Sequence, residues 1–312
     1  MSFIESERLV GLIVMSSFCV VGTSGNLFTI IALLKSQTLH IQASTKFVVS
    51  LAIADLLFCS ICLPLIILDG LGFLTEKYTE AYCHWLVIIL CTIFAASSFS
   101  LLAITINRCV IICYYDIYDK IYSGLNVYIM ISVIWLCSIA ISMVPGYGVW
   151  GQIKRIQEYQ CEIVPDENGN NPVLFLITIH SFIPCIVLIA CYVLIFLKKK
   201  QVKKELNESL GHKKSYYKEE DLQLLKMIGI IFAGFLICYM PRAFIYIVYV
   251  NDEFKSESIQ KFYFFSNILF GINFIINPFI YGFNNKVYRP AFVSLFQKIY
   301  RFFYINCPSR HS

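Results

Sequence analysis

Long apolar runs separated by short polar stretches recur seven times along the 312-residue chain. They cover roughly Leu9–Leu34, Ala43–Leu68, Cys83–Cys113, Asn126–Tyr147, Val173–Leu197, Leu222–Val250 and Phe262–Phe283. A helix rises about 1.5 Å per residue and the hydrocarbon core of a bilayer is about 30 Å thick, so each run is long enough to cross it. The third carries no charged side chain between Trp85 and Ile106. Barrel strands would be short and alternating, whereas these runs are continuously apolar, which excludes strands as spanning elements. The pattern predicts an all-α membrane protein, a seven-transmembrane helix bundle. Beyond the last run, Val287, Phe292, Val293, Phe296, Ile299 and Phe303 share one helical face with Lys298 and Arg301 opposite, which predicts a short amphipathic C-terminal helix on the membrane surface. The chain thus divides into residues 1–8, a bundle over 9–283 and a tail over 284–312.

Composition agrees: 58% hydrophobic and 14% charged residues leave too little polar surface to close a soluble globule of this length. The net charge of +5 raises the question of nucleic acid, but the lysines cluster between spans, as at a basic membrane margin. With the amino terminus outside, 18 lysines and arginines fall on inner segments and 6 on outer ones, with Arg242 inside a span. The positive-inside rule then predicts a multi-pass plasma-membrane protein with an extracellular amino terminus and a cytoplasmic carboxyl terminus. Most of the thirteen cysteines, such as Cys59, Cys62, Cys137, Cys185 and Cys191, lie in apolar runs and act as small hydrophobes. The first run is too long for a signal peptide and has no basic segment before it, so it is expected to be retained. The sequon Asn207-Glu208-Ser209 falls on the inner side and is expected to stay unmodified. Cys307, in the tail, is either palmitoylated or a free thiol.

Polar groups inside spans are expensive, so each is a functional suspect. Asn26, Asp55, Ser97, Asn273 and Asn277 form the largest set. A lone aspartate among Leu51, Ala52, Ile53, Leu56 and Leu57 must be neutralised or partnered. Asp55, Ser97, Asn273 and Asn277 either hold a small cation, a candidate sodium site, or pack as a hydrogen-bonded network without one. Pro184, Pro241 and Pro278 interrupt helices mid-span, and neighbouring polar groups must serve the carbonyls they free.

Gly25-Asn26, Leu51-Ala52-Ile53-Ala54-Asp55, Cys83, Asn107-Arg108-Cys109, Trp135, Cys161, Pro184 with Tyr192, Phe235 with Cys238-Tyr239-Met240-Pro241, and Asn277-Pro278-Phe279-Ile280-Tyr281 occur in this order at span-like spacing. Together they resemble the rhodopsin-like (class A) G-protein-coupled receptors over nearly the whole chain. Asn107-Arg108, Tyr118-Asp119-Lys120-Ile121-Tyr122-Ser123 and His180 resemble the melatonin-receptor-like and moody-like orphan receptors within that family. Asn107 stands where the family carries an aspartate, and Tyr239 where it carries a tryptophan. The resemblance implies a Cys83–Cys161 disulfide, and it implies that Arg108, Tyr192 and Tyr281 rearrange together to open a cytoplasmic cleft for a heterotrimeric G protein. It brings Asn277 and Pro278 into that switch. Asn107 cannot ion-pair with Arg108, which leaves Asp221, beside Glu219 and Glu220, either as the arginine's resting partner or as part of a solvated helix end.

Phe235, Tyr239, Arg242 and Tyr246 recur at helical spacing, so one face of the sixth run carries them all. Since the family directs that face inward, Arg242 is expected in the ligand cavity with Leu90, Phe94, His180, Tyr239 and Tyr246. A buried arginine needs an anion. Two are open: Asp69 at the end of the second span, or an acidic ligand such as a carboxylate or phosphate lipid. Leu90 occupies the place of the amine receptors' aspartate, so a monoamine is not expected. The function read from the sequence is a receptor for an extracellular or lipid-phase ligand, in contact with membrane lipids and not with nucleic acid. A transporter or channel is the rival class, but the two halves share no internal repeat. No hydrolase, zinc-protease or paired-aspartate motif points to an enzyme.

Overall fold

The computed structural model describes the backbone of residues 3–73, 79–146, 150–157, 160–208, 219–249 and 257–306; the side chains of 3–8, 202–208, 219–225, 246, 248, 249, 284 and 303–306, with those at several other segment ends, lie outside the description. Helix α1 is Phe3–Leu34. Helix α2 spans Ala43–Gly70, α3 Thr79–Cys113, the short α4 Tyr115–Ile121 and α5 Gly124–Gly146. Strands β1 (Gln152–Gln157) and β2 (Gln160–Val164) form an antiparallel hairpin. Helix α6 starts at Val173 and ends at Glu208, α7 is Glu219–Tyr249, α8 starts at Glu257 and ends at Asn284, and α9 is Arg289–Asn306. Seven of these, α1, α2, α3, α5, α6, α7 and α8, are long and apolar enough to cross a membrane. The molecule is a seven-helix bundle with a C-terminal helix, and each expected span falls on one helix, although α6 continues to Glu208 beyond the expected end at Leu197 and α1 begins at Phe3, before the expected Leu9.

The bundle buries its apolar interior against α3, which packs on α2, α5, α6 and α7. Where these helices need polar contacts, hydroxyls supply them. Trp135 Nε1 on α5 donates to Ser50 Oγ on α2 at 3.1 Å, and Ser50 shares a hydrogen bond with Ser100 on α3 at 3.0 Å. On the outer faces, Ser16, Ser17, Ser24 and Ser60 each donate to the carbonyl four residues back, so these hydroxyls are served within their own helices. The outer surface carries large apolar side chains from every span, such as Val20, Ile61, Trp85, Leu136, Ile186, Ile237 and Phe265.

Prolines shape three helices. The ladder widens to π turns at Phe58–Cys62, Thr178–Phe182 and Ile280–Asn284. Each lies next to a proline: Pro64, Pro184 and Pro278 respectively. A proline has no amide hydrogen and its ring crowds the carbonyl four residues earlier, so the helix opens in the turn before Pro64 and before Pro184, whereas the third π turn follows Pro278. The freed carbonyls of two of them are served across helices. Pro184 releases the His180 carbonyl, and Ser98 Oγ on α3 donates to it at 2.7 Å. Pro278 releases the Phe274 carbonyl, and Asn26 Nδ2 on α1 donates to it at 2.9 Å.

Candidate functional site

Among the described residues, three interior clusters bring the expected site residues together, one at each end of the bundle and one between them. The middle one is Asp55, fully buried on α2. Asn277 Nδ2 donates to its Oδ2 at 2.7 Å and Ser97 Oγ to its Oδ1 at 3.4 Å. Asn273 is buried one turn earlier on α8, but among the described residues it makes no hydrogen bond to Asp55. Asn26 belongs to the Phe274 carbonyl and not to this carboxylate. The Asn277 Oδ1 atom is buried without a hydrogen-bond partner among the described residues. Carboxylate, hydroxyl and amide oxygens around one buried charge form a donor set that suits a hard monovalent cation.

The second cluster lies where α3, α2 and the start of α9 meet. Arg108 is buried and donates to Ser44 Oγ at the start of α2. Asn107 Nδ2 approaches the Tyr118 hydroxyl of α4 at 3.4 Å, so the asparagine serves the connecting helix. Tyr281 is fully buried, and its ring meets Tyr288 edge-on at 6.0 Å. The Tyr192 ring of α6 rests on Gly229 of α7, where an added methyl would lie 2.7 Å from the Tyr192 hydroxyl oxygen. Helix α8 ends nearby because Asn285 Oδ1 accepts from the backbone amides of Val287 and Tyr288, at 2.7 and 3.0 Å, which turns the chain into α9. The side chain of Asp221, the expected resting partner of Arg108, lies outside the described residues, as does that of Tyr246.

The third cluster lies under the hairpin. Cys161 of β2 is bonded to Cys83 of α3, with a Cα–Cα distance of 5.1 Å. In the hairpin register Arg155 pairs with Cys161 and Lys154 with Glu162. Alternate residues of a strand face opposite sides, so Arg155 and Glu162 leave the ribbon in different directions. Arg155 Nη2 reaches Asp69 on α2 at 2.8 Å. Glu162 enters the bundle, and its Oε1 lies 3.0 Å from Arg242 Nη2. The same oxygen accepts from the Tyr263 hydroxyl of α8, and Arg242 Nη1 donates to Asn267 Oδ1. The guanidinium also lies over the Phe270 ring, 4.9 Å from its centroid. The Glu162 side chain is 8% exposed and that of Arg242 20%. Burial pushes the Glu162 carboxyl above the ordinary glutamate range, against the pull of Arg242 and of the Tyr263 hydrogen bond.

The anion that Arg242 requires is therefore Glu162 and not Asp69, which Arg155 occupies. The hairpin sets both pairings at once. Sequence reasoning missed Glu162, Tyr263 and Asn267. The one available signal was that Glu162 follows Cys161, whose expected bond to Cys83 brings this stretch close to the end of α3. Beneath the ion pair, Phe94, Tyr239 and Phe235 stack, with Phe94 and Tyr239 centroids 4.6 Å apart. The His180 ring meets Phe94 edge-on at 5.6 Å, and Leu90 lines the packed interior, partly buried, one turn from Phe94. Four residues expected in one cavity thus pack together, with Arg242 above them.

A family model described as 7 transmembrane receptor (rhodopsin family) matches residues 25–281. The chain is 30% identical to "Protein trapped in endoderm-1" of Drosophila melanogaster, over 89% of this chain and 75% of that protein. It is 28% identical to "G-protein coupled receptor moody" of Drosophila melanogaster, over 88% of this chain but only 49% of the relative. It is 25% identical to "Melatonin receptor type 1B-B" of Danio rerio, over 90% of this chain and 80% of that receptor.

Proposed function

Because the chain belongs to the rhodopsin family of seven-transmembrane receptors, and so is a multi-pass membrane receptor rather than an enzyme, we propose that it is a plasma-membrane receptor that binds an acidic ligand at the hairpin end and activates a heterotrimeric G protein at the Arg108 end. The observation that carries the ligand class is the Arg242 site, where a guanidinium inside a span is held against a carboxylate at 3.0 Å. A ligand carboxylate or phosphate, from solution or from the lipid phase, meets the same donors. The amino terminus and hairpin lie outside and the lysine-rich segment between α6 and α7 inside, as the distribution of basic residues supports. The disulfide agrees, since such bonds persist on the oxidising side.

Signalling runs through a two-state bundle, and a ligand acts only through unequal affinity for the two states. At the inner end Arg108, Asn107, Tyr192, Asp221 and Tyr281 are the proposed switch, with Asn277 and Pro278 linking it to the Asp55 cluster. A bound sodium ion would be held by Asp55, Ser97 and the Asn277 amide oxygen, where it would offset the buried charge of Asp55.

The test is a cell-signalling screen of small acids and acidic lipids on wild type and Arg242→Gln in parallel. Melatonin, named by relatives 25–28% identical, serves as a ligand with no carboxylate. An acid that activates the wild type and loses at least about tenfold in potency on Arg242→Gln is the expected result. Equal activation of both forms refutes the acidic-ligand reading.

A further inference from the structure

Glu162 stands in the position that an acidic ligand needs. It belongs to this same chain, it is carried on a hairpin bonded to α3 through the preceding residue, and it engages Arg242 and Tyr263 together. The pair is buried but not closed off from the hairpin side. The Arg242 side chain keeps 20% exposure, and Lys154, the cross-strand neighbour of Glu162, is exposed on the hairpin. A tethered group has a high effective concentration, so it excludes free ligands of similar intrinsic affinity.

We infer that Glu162 is a built-in occupant of a carboxylate-binding site formed by Arg242, Tyr263 and Asn267, and that an external carboxylate binds by displacing it. The inference rests on the receptor reading above for its biological use, but not for its chemistry. Glu162 then acts as a specificity-determining residue: it sets the threshold that an acid must exceed, and it keeps weak anions from occupying the site. A displaced Glu162 removes one anchor of the hairpin and leaves the Cys83–Cys161 bond and the Arg155–Asp69 pair in place, so binding is felt by the segment between α5 and α6 without releasing it.

The proposal is tested on the full-length receptor in detergent micelles, by thermal unfolding with propionate as a water-soluble probe and oleate as a membrane-phase one. This readout needs no G protein, so it stands or falls separately from the signalling screen. Glu162→Ala removes the tethered carboxylate and leaves room for a free one. Its Tm is expected to rise saturably, by about 3 °C at ten times Kd, with at least one of the two acids. The wild type should need at least about tenfold more of the same acid, and the Glu162→Ala/Arg242→Gln double variant should not respond. Response to propionate supports entry from solution and response to oleate entry from the bilayer. No response of Glu162→Ala to either acid, an equal response of wild type, or a persisting response of the double variant would each overturn the proposal. Should Glu162→Ala accumulate only when propionate is present during expression, that dependence, absent from the double variant, is the supporting result. If it accumulates under neither condition, Glu162→Asp, whose carboxylate is withdrawn by one methylene, takes its place. There a formate-dependent rise in Tm supports the proposal and its absence overturns it.

Discussion

Glu162 and Arg242 show how a single ion pair is placed where lipid-embedded helices would otherwise forbid charge. Removing one partner of such a pair leaves the other desolvated and unmatched, which costs about 3 to 5 kcal/mol. The pair also gives the molecule a pH response of definite sign. Burial holds the Glu162 carboxyl above its ordinary value of 4.5. Its contribution to stability is therefore fully present below about 4.5 and is lost as pH rises through the folded value. Arg242 and Tyr263 face the carboxylate from α7 and α8, and Cys91 of α3 is close enough to feel its charge. The Tm of the wild type should fall relative to that of Glu162→Gln as pH is raised from 4 to 8, and parallel profiles would remove the assignment. Arg242 was legible in the sequence because a cation inside an apolar run is conspicuous in itself. Glu162 was not, because a glutamate in a polar connection looks solvated until a folded hairpin carries it inward. The Asp55 set was partly legible: its members were identified, but Asn26 proved to serve a backbone carbonyl.

Helices α6 and α8 are held at their prolines by side chains from other helices, and this is an element-level device. Ser98 and Asn26 replace the amide hydrogens that Pro184 and Pro278 lack. A buried carbonyl left unserved costs about 1 to 3 kcal/mol. Ser98→Ala should therefore lower stability by about that amount in the wild type. With Pro184→Ala, where residue 184 regains its amide, the same change should cost less than about 0.5 kcal/mol. Additive effects in this double-mutant cycle, read by thermal unfolding, would count against the cap. The sequence showed that freed carbonyls must find donors. It could not name the donors, since a serine on α3 meets α6 only through tertiary packing. Pro64 was also overlooked, although the ladder of α2 widens to a π turn just before it.

At the scale of the molecule, the seven-span architecture was the most legible feature, because bilayer thickness imposes a minimum run length that only helices satisfy with all backbone groups paired. What the pattern could not show was how the two ends are tied together. The polar clusters lie under the hairpin, around Asp55 and around Arg108, and α3 contributes to each of them through Cys83, Ser97 and Arg108. The Cys83–Cys161 bond has an outcome that begins before the receptor reaches its destination. Until that crosslink closes during biosynthesis, Glu162 is held at its depth only by non-covalent contacts, the Arg155–Asp69 pair and its own bonds to Arg242 and Tyr263, so the guanidinium's counter-charge is less firmly fixed. Thiol oxidation is then expected to be needed before the charge pair is secure. A Cys161→Ser chain should be retained inside the cell, and adding Arg242→Gln should restore part of its surface staining by flow cytometry, because the charge that marked it as immature is gone.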